Sequence, residues 1–181
     1  MKRFLTILFF LTLTGCSSAS TLPPSLTIRP TAKITPTPTY APCAYVAGSK
    51  DAPKLTATFT EKLKAAGLPI ETVRAEAYGE NCITADNTIV SFGQREIDFY
   101  VTLNVIDMKD YAGLGSQLEK IFVAIDELPE TETGPNPGYV GVTFQSGTQV
   151  KNLWFLLTDA NALRKNGTKG ADLYKALTGD P

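Results

Sequence analysis

The sequence predicts an α+β domain, an antiparallel four- to five-stranded sheet with two to three helices on one face, in the order αβ(β)βαββα. Three observations carry this expectation. Over residues 98–106, Phe99, Val101, Leu103 and Val105 alternate with Tyr100, Thr102 and Asn104. That is the period of a strand with one wet face, whereas a sheet covered on both sides would show unbroken apolar runs. Leu114, Leu118, Ile121, Phe122 and Ile125 recur at the spacing of an amphipathic helix. Ser146-Gly147 separates two strand-like runs at the spacing of a tight hairpin.

Taken in order, the elements begin with a helix for which Asp51 is the expected N-cap. Pro53 fits its first turn, Leu55, Phe59 and Leu63 its buried stripe, and Gly67 its end. A strand over 70–78 follows, with Val73, Ala75 and Ala77 opposite Thr72, Arg74, Glu76 and Tyr78; residues 88–92 suit a further short strand. After the strand at 98–106, the second helix starts near Asp110 and is stopped by Pro129. Strands over 139–144 and 149–157 flank the hairpin turn. The last helix, after Asp159, is broken by Gly167 and Gly170 into two short pieces and resumes through Leu173 and Leu177. A helix followed by two strands occurs twice, with no repeat at the level of residues.

The chain has 181 residues, 43% apolar and 19% charged, as expected of an ordinary soluble domain. Its first block differs. Lys2 and Arg3 precede an unbroken apolar and Thr run over 4–13, then Thr14 and Gly15, the pattern of a secretory leader. The run is too short for a stable membrane span, which needs ~20 residues. The tetrad Leu13-Thr14-Gly15-Cys16 resembles the lipobox of bacterial lipoproteins. That resemblance covers residues 1–17 alone. It implies removal of residues 1–15, a diacylglyceryl group on the Cys16 thiol, and a further acyl chain on the new amino terminus. Since each buried CH₂ contributes roughly 0.8 kcal/mol, a single chain holds only marginally and two or more anchor a protein durably. The expected location is the cell membrane, lipid-anchored and facing outside the cytoplasm.

Residues 16–42 read as a tether, since Ser, Thr and Pro dominate and neither Gly nor an acidic residue occurs after Cys16. The alternation from Thr35 to Pro38 favours polyproline II, so the segment could reach ~80 Å from the lipid at ~3.1 Å per residue. Its charges, Arg29 and Lys33, would tolerate an anionic leaflet. With Cys16 lipidated, Cys43 and Cys82 remain. Outside the cytoplasm they can pair, which would stabilise the fold by ~4 kcal/mol in the chain-entropy model; the alternative is two unrelated buried thiols. Residues 43–181 then form one globular α+β domain, long enough to bury about two thirds of its unfolded surface.

There is no histidine in the chain. That excludes Ser-His-Asp and Cys-His nucleophile systems, histidine metal sites and the usual general base near neutral pH. With both remaining cysteines paired, a thiol enzyme is disfavoured too. Catalysis would fall to carboxylates such as Glu80, Asp86, Asp107 or Asp110, placed in loops or at element ends, though such residues more often cap helices and turns. Asp126, Glu127, Glu130 and Glu132 lack the ligand spacing of a calcium loop. Gly113-Leu114-Gly115 opens a helix without the βαβ context of a phosphate-binding loop. The chain has 17 basic and 18 acidic residues, and loss of Lys2 and Arg3 with the leader makes it more acidic still, which disfavours nucleic acid. No enzyme, metal or cofactor is expected.

One positive feature is left. The strand parity places Tyr78 and Tyr100 on the wet face of the sheet, with Tyr139 a neighbour and Trp154 a further candidate, although 153–157 is apolar on both parities. Aromatic rings on an open sheet can stack on sugars, peptides or bases, but they also simply suit strands. The reading that follows is a membrane-anchored extracytoplasmic lipoprotein with a tethered ligand- or protein-binding module, its partner an envelope protein, peptide or glycan. A scaffolding envelope lipoprotein is the second reading, and a carboxylate-dependent hydrolase the third.

Overall fold

The computed structural model describes residues 43–179, all within one compact unit; the leader at 1–15, Cys16 and the tether to residue 42 lie outside the described residues. The chain runs through β1 (Ala44–Asp51), α1 (Pro53–Ala65), β2 (Ile70–Ile83), β3 (Ile89–Asn104), α2 (Tyr111–Asp126), α3 (Glu130–Thr133), β4 (Asn136–Ser146), β5 (Gln149–Leu156), α4 (Leu157–Lys165) and α5 (Gly170–Thr178). The five strands form one sheet in the order β1-β2-β3-β4-β5. This is the expected α+β architecture. Among the described residues no helix is long and apolar enough to cross a membrane.

The expected parity sets the core. Ala75, Ala77, Ile97, Phe99, Val101, Leu103, Val140, Val142, Phe144, Leu153 and Phe155 lie on one face of the sheet and are buried. They join Leu55, Phe59 and Leu63 of α1, Leu114, Leu118, Ile121 and Phe122 of α2, and Leu173 of α5 in one cluster. Phe59 meets Phe99 edge-on at 4.9 Å, and Phe122 meets Phe155 at 5.7 Å. Each fully buried side chain of this size contributes about 1.5–3 kcal/mol. Asp110 caps α2 as its position suggests, its Oδ1 accepting from Gly113 N at 2.9 Å. The last helix is indeed two pieces, α4 and α5. Gly147, at φ 58°, supplies the left-handed backbone of the two-residue turn between Ser146 and Gln149.

Several details differ from the sequence expectation. A strand precedes the first helix: β1 pairs antiparallel with β2, so Asp51 is a strand residue opposite Glu76. Ala52 takes the N-cap position without a side-chain bond, and Pro53 opens α1. Residues 88–92 are no separate strand; Thr88 belongs to the turn and 89–92 begin β3, which pairs with β2 as far as Ile83. Asp86 closes that hairpin, accepting from the hydroxyls of Thr84 and of Thr88, the latter at 3.1 Å; these bonds hold its carboxyl below the usual range. β3 stops at Asn104, two residues early, leaving Ile106 fully exposed. The sheet has one parallel junction, between β3 and β4. A parallel pair needs a crossover rather than a turn, and α2 with α3 lies in that connection.

The ends of β1, β2 and β3 form a three-stranded arm bearing exposed Tyr45, Val46, Ile89 and Val90. Such an arm buries little of itself. Cys43 and Cys82 cross-link it, with a Cα–Cα separation of 5.3 Å, so the expected pairing is present.

Candidate functional site

The helices put their apolar stripes on one side of the sheet, and the opposite side carries the candidate residues. In a sheet, residues in register point the same way. Arg74 of β2, Tyr100 of β3, Gly141 of β4 and Trp154 of β5 are in register and form one row across four strands. Glu76 faces Asp98 in the next row, and Tyr78 faces Glu96 beyond it. On the other flank Thr72, Thr102, Thr143 and Asn152 form a polar row, with Thr72 Oγ1 donating to Thr102 Oγ1 at 2.9 Å and Thr143 Oγ1 to Asn152 Oδ1 at 2.8 Å.

All four aromatic residues singled out in the sequence come together here. Tyr139 and Trp154 stack at 5.2 Å with only 9° between their planes. Tyr100 also meets Trp154, at 5.4 Å and 34°. The Tyr78 and Tyr100 hydroxyls lie 3.3 Å apart, and burial, aided by that contact, pushes the Tyr100 phenol well above its usual range, so it stays protonated. Trp154 is 52% exposed, which resolves the ambiguity of 153–157: Leu153 and Phe155 enter the core and the indole does not. Gly141 makes room for the cluster. A Cβ there would stand 2.9 Å from both Cε3 and Cζ3 of Trp154 and 3.2 Å from Cδ1 of Tyr100.

The sequence reading did not single out the charged groups among the rings. The Arg74 guanidinium lies over the Tyr100 ring, 4.2 Å from its centroid, and its Nη1 pairs with Glu76 Oε2 at 2.6 Å and with Asp51 Oδ1 at 4.0 Å. Asp98 is 3% exposed although it points to the open side. Tyr139 N donates to its Oδ1 at 2.8 Å, and no salt bridge to it exists among the described residues. Burial raises its carboxyl above the usual range; the Tyr139 N–H works against that shift, while Glu96 and Glu76 add to it. A signal for this pair existed in the sequence: Glu76 and Asp98 share the parity of Tyr78 and Tyr100.

The carboxylates considered for catalysis are otherwise engaged. Glu80 lies within β2, not in a loop, and pairs with Arg95 at 2.7 Å. Asp86 closes a turn, Asp107 accepts from Lys109 N at 2.8 Å, and Asp110 is a helix cap. Three of the four acids of the acidic segment are ion-paired, Asp126 with Arg164, Glu127 with Lys62 and Glu132 with Lys54, while Glu130 is exposed. No cluster of metal-ligating side chains occurs among the described residues. Clefts of about 480 and 740 Å³ beside α2 lie away from the rings, the larger between α1 and α2 beside the Lys62–Glu127 pair, while an open cleft of about 440 Å³ beside β1 is lined by Tyr78 together with Glu80, Arg95 and Glu96.

Fold and face together define an α+β sheet domain with one helix-covered side and one open, aromatic side. No protein-family model matches the chain, and no curated protein or solved structure is significantly similar to it.

Proposed function

We propose that this chain is a lipid-anchored extracytoplasmic binding module, moored through Cys16, carried on the tether at 16–42, and capturing its ligand on the aromatic face of the sheet. The leader, the lipobox-like tetrad and the Ser/Thr/Pro stretch support the address. A cysteine pair placed for a disulfide suits an oxidising compartment. The observation that carries the binding role is the packing of Tyr78, Tyr100, Tyr139 and Trp154, drawn from four strands, on the side of the sheet away from the helices. A contiguous aromatic surface of this kind would be costly to leave in water without a use.

Two results are expected. Cys16→Ser moves the chain from the membrane fraction to the soluble fraction in cell fractionation, and mass spectrometry of the unaltered protein finds acyl chains at that residue. A membrane-bound Cys16→Ser chain would remove the anchor from the proposal. On arrays of defined oligosaccharides and peptides, the full chain retains a class of probe that Trp154→Ala binds at least about tenfold more weakly. Losing the exposed indole costs the fold about 1 kcal/mol of ring stacking, so the melting temperature drops by no more than about 4 °C. Undiminished retention by Trp154→Ala, or its unfolding, counts against the face as a binding site.

A further inference from the structure

The charge carried by this face selects the chemistry of its occupant. In register with the rings stand four carboxylates, Asp51, Glu76, Glu96 and Asp98, and Arg74; the other cation nearby, Arg95, shares a cleft with Tyr78 and Glu96 but is paired with Glu80 at 2.7 Å. Arg74 is shared by Asp51 and Glu76, so Glu96 and Asp98 have no cation among the described residues. Asp98 is buried, where an unpaired negative charge is costly and an arriving positive charge is worth most. Glu96 stands two residues before it on the same side of β3, at the partly exposed edge of the ring cluster.

Arg74 displays the geometry such a cation would adopt. Its guanidinium carbon stands 4.2 Å from the centroid of one tyrosine ring while its Nη1 pairs with a carboxylate, a combination a planar, weakly hydrated guanidinium makes more readily than an ammonium. The shape of the surface adds a second restriction. Tyr100, Tyr139 and Trp154 line none of these clefts, Tyr78 and Glu96 line only the open one beside β1, and an open surface cannot enclose a small cation as a pocket does. An extended chain laid across the strands can cover it, and the polar row of Thr72, Thr102, Thr143 and Asn152 offers hydrogen bonds along the flank.

We propose that the occupant of this face is an extended, arginine-bearing segment of a partner protein, its guanidinium set against the tyrosine rings and paired with Glu96, with Asp98 behind. The proposal rests on the binding role given above and names the class of ligand. Trp154 is the chain's one tryptophan, so its emission reports events at the face alone.

The test titrates the full-length chain in mild detergent with hexa-arginine, hexa-lysine, hexa-glutamate and the neutral sugar chitohexaose. Hexa-arginine is expected to change Trp154 emission saturably and more tightly than hexa-lysine, with no response to hexa-glutamate. Glu96→Gln and Asp98→Asn should each weaken hexa-arginine by about three- to tenfold. Asp98→Asn keeps the acceptor for Tyr139 N and removes a buried charge, so its melting temperature should hold or rise. Glu130→Gln, an exposed acid on α3, should leave the affinity unchanged. Weakening by Glu130→Gln equal to that by Glu96→Gln would overturn the proposal, because the attraction would then belong to the acidic surface at large. A saturable response to chitohexaose with none to hexa-arginine would keep the binding face and discard the arginine ligand. If no probe on the arrays or in the titration engages Trp154, both the face and its ligand class fall.

Discussion

Serine at both Cys43 and Cys82 is expected to lower the stability of the domain by about 4 kcal/mol, a large share of the roughly 5–15 kcal/mol a domain possesses. The bond closes a loop between residues 39 apart, and the entropy it removes from the unfolded chain grows with the logarithm of that span. Little else holds the arm it closes. Seven of the eight residues of β1 are exposed, and the strand is held chiefly by its backbone ladder to β2. In thermal melts the double variant should unfold on the order of 15 °C lower than the parent. Hydrogen exchange should show the earliest loss of protection at 44–51, since the core on the helix side does not depend on that strand. Parent protein that melts identically with and without reductant would show that the two sulfurs are not bonded in solution.

The same arm marks the limit of what the sequence discloses about the fold. Where a strand lies on the core, its pattern is sharp: Phe99, Val101 and Leu103 are buried and Tyr100, Thr102 and Asn104 are not, because one face meets helices and the other does not. Ala44–Asp51 has no such contrast. With both of its faces exposed, no selection for alternation operates, and Ala, Gly, Ser and Lys suit it as well as apolar residues would. For the same reason 89–92 and 79–83 could not be joined to their strands by pattern, although each continues a ladder already begun. The parallel junction of β3 with β4 is hidden differently. Strand direction leaves no trace in residue periodicity, and only the length of the connection through α2 hints at it.

The candidate site was more legible than the fold's margins, and by the same logic. Tyr78 and Tyr100 follow from parity alone, since a residue that alternates with a buried one must face the other way, and Tyr139 was expected beside them as a neighbour. Trp154 did not follow, as Leu153, Phe155, Leu156 and Leu157 around it are all apolar; its register with Gly141 is what sends it to the open side. The buried state of Glu76 and Asp98 was beyond reach. An acid at a wet-face position reads as solvated, yet Glu76 and Asp98 are buried, Glu76 beside Arg74 and Asp98 beside the Tyr139 backbone. Burial on the nominally wet face is thus a property of neighbours in space that are distant in sequence, Asp98 and Tyr139 being 41 residues apart.

Gly115 carries a comparable long-range constraint, and Gly115→Ala is expected to cost about 2 kcal/mol. In an unconstrained helix the change would help, by about 1 kcal/mol, because alanine loses less backbone entropy than glycine. Here a Cβ would fall 1.8 Å from Gly170 O and 2.3 Å from Gly170 C, main-chain atoms that cannot swing aside as a side chain could. Gly170 N also donates to Glu119 Oε1 at 2.7 Å, one turn further along α2, so the start of α5 is held against that helix at two points. Seating the methyl requires α2 and α5 to part, which loosens Leu173 and the Tyr174 ring stacked on Tyr111 at 5.2 Å. Overpacking of this kind costs about 3 kcal/mol at the upper end of its usual range, which outweighs the helix-propensity gain. Urea denaturation should show the loss as a lower midpoint with an unchanged slope. Ser116→Ala, exposed on the same turn, should stay within about 0.5 kcal/mol of the parent. A midpoint that rises for Gly115→Ala would mean that α2 and α5 do not approach this closely, and that the glycine serves no packing role.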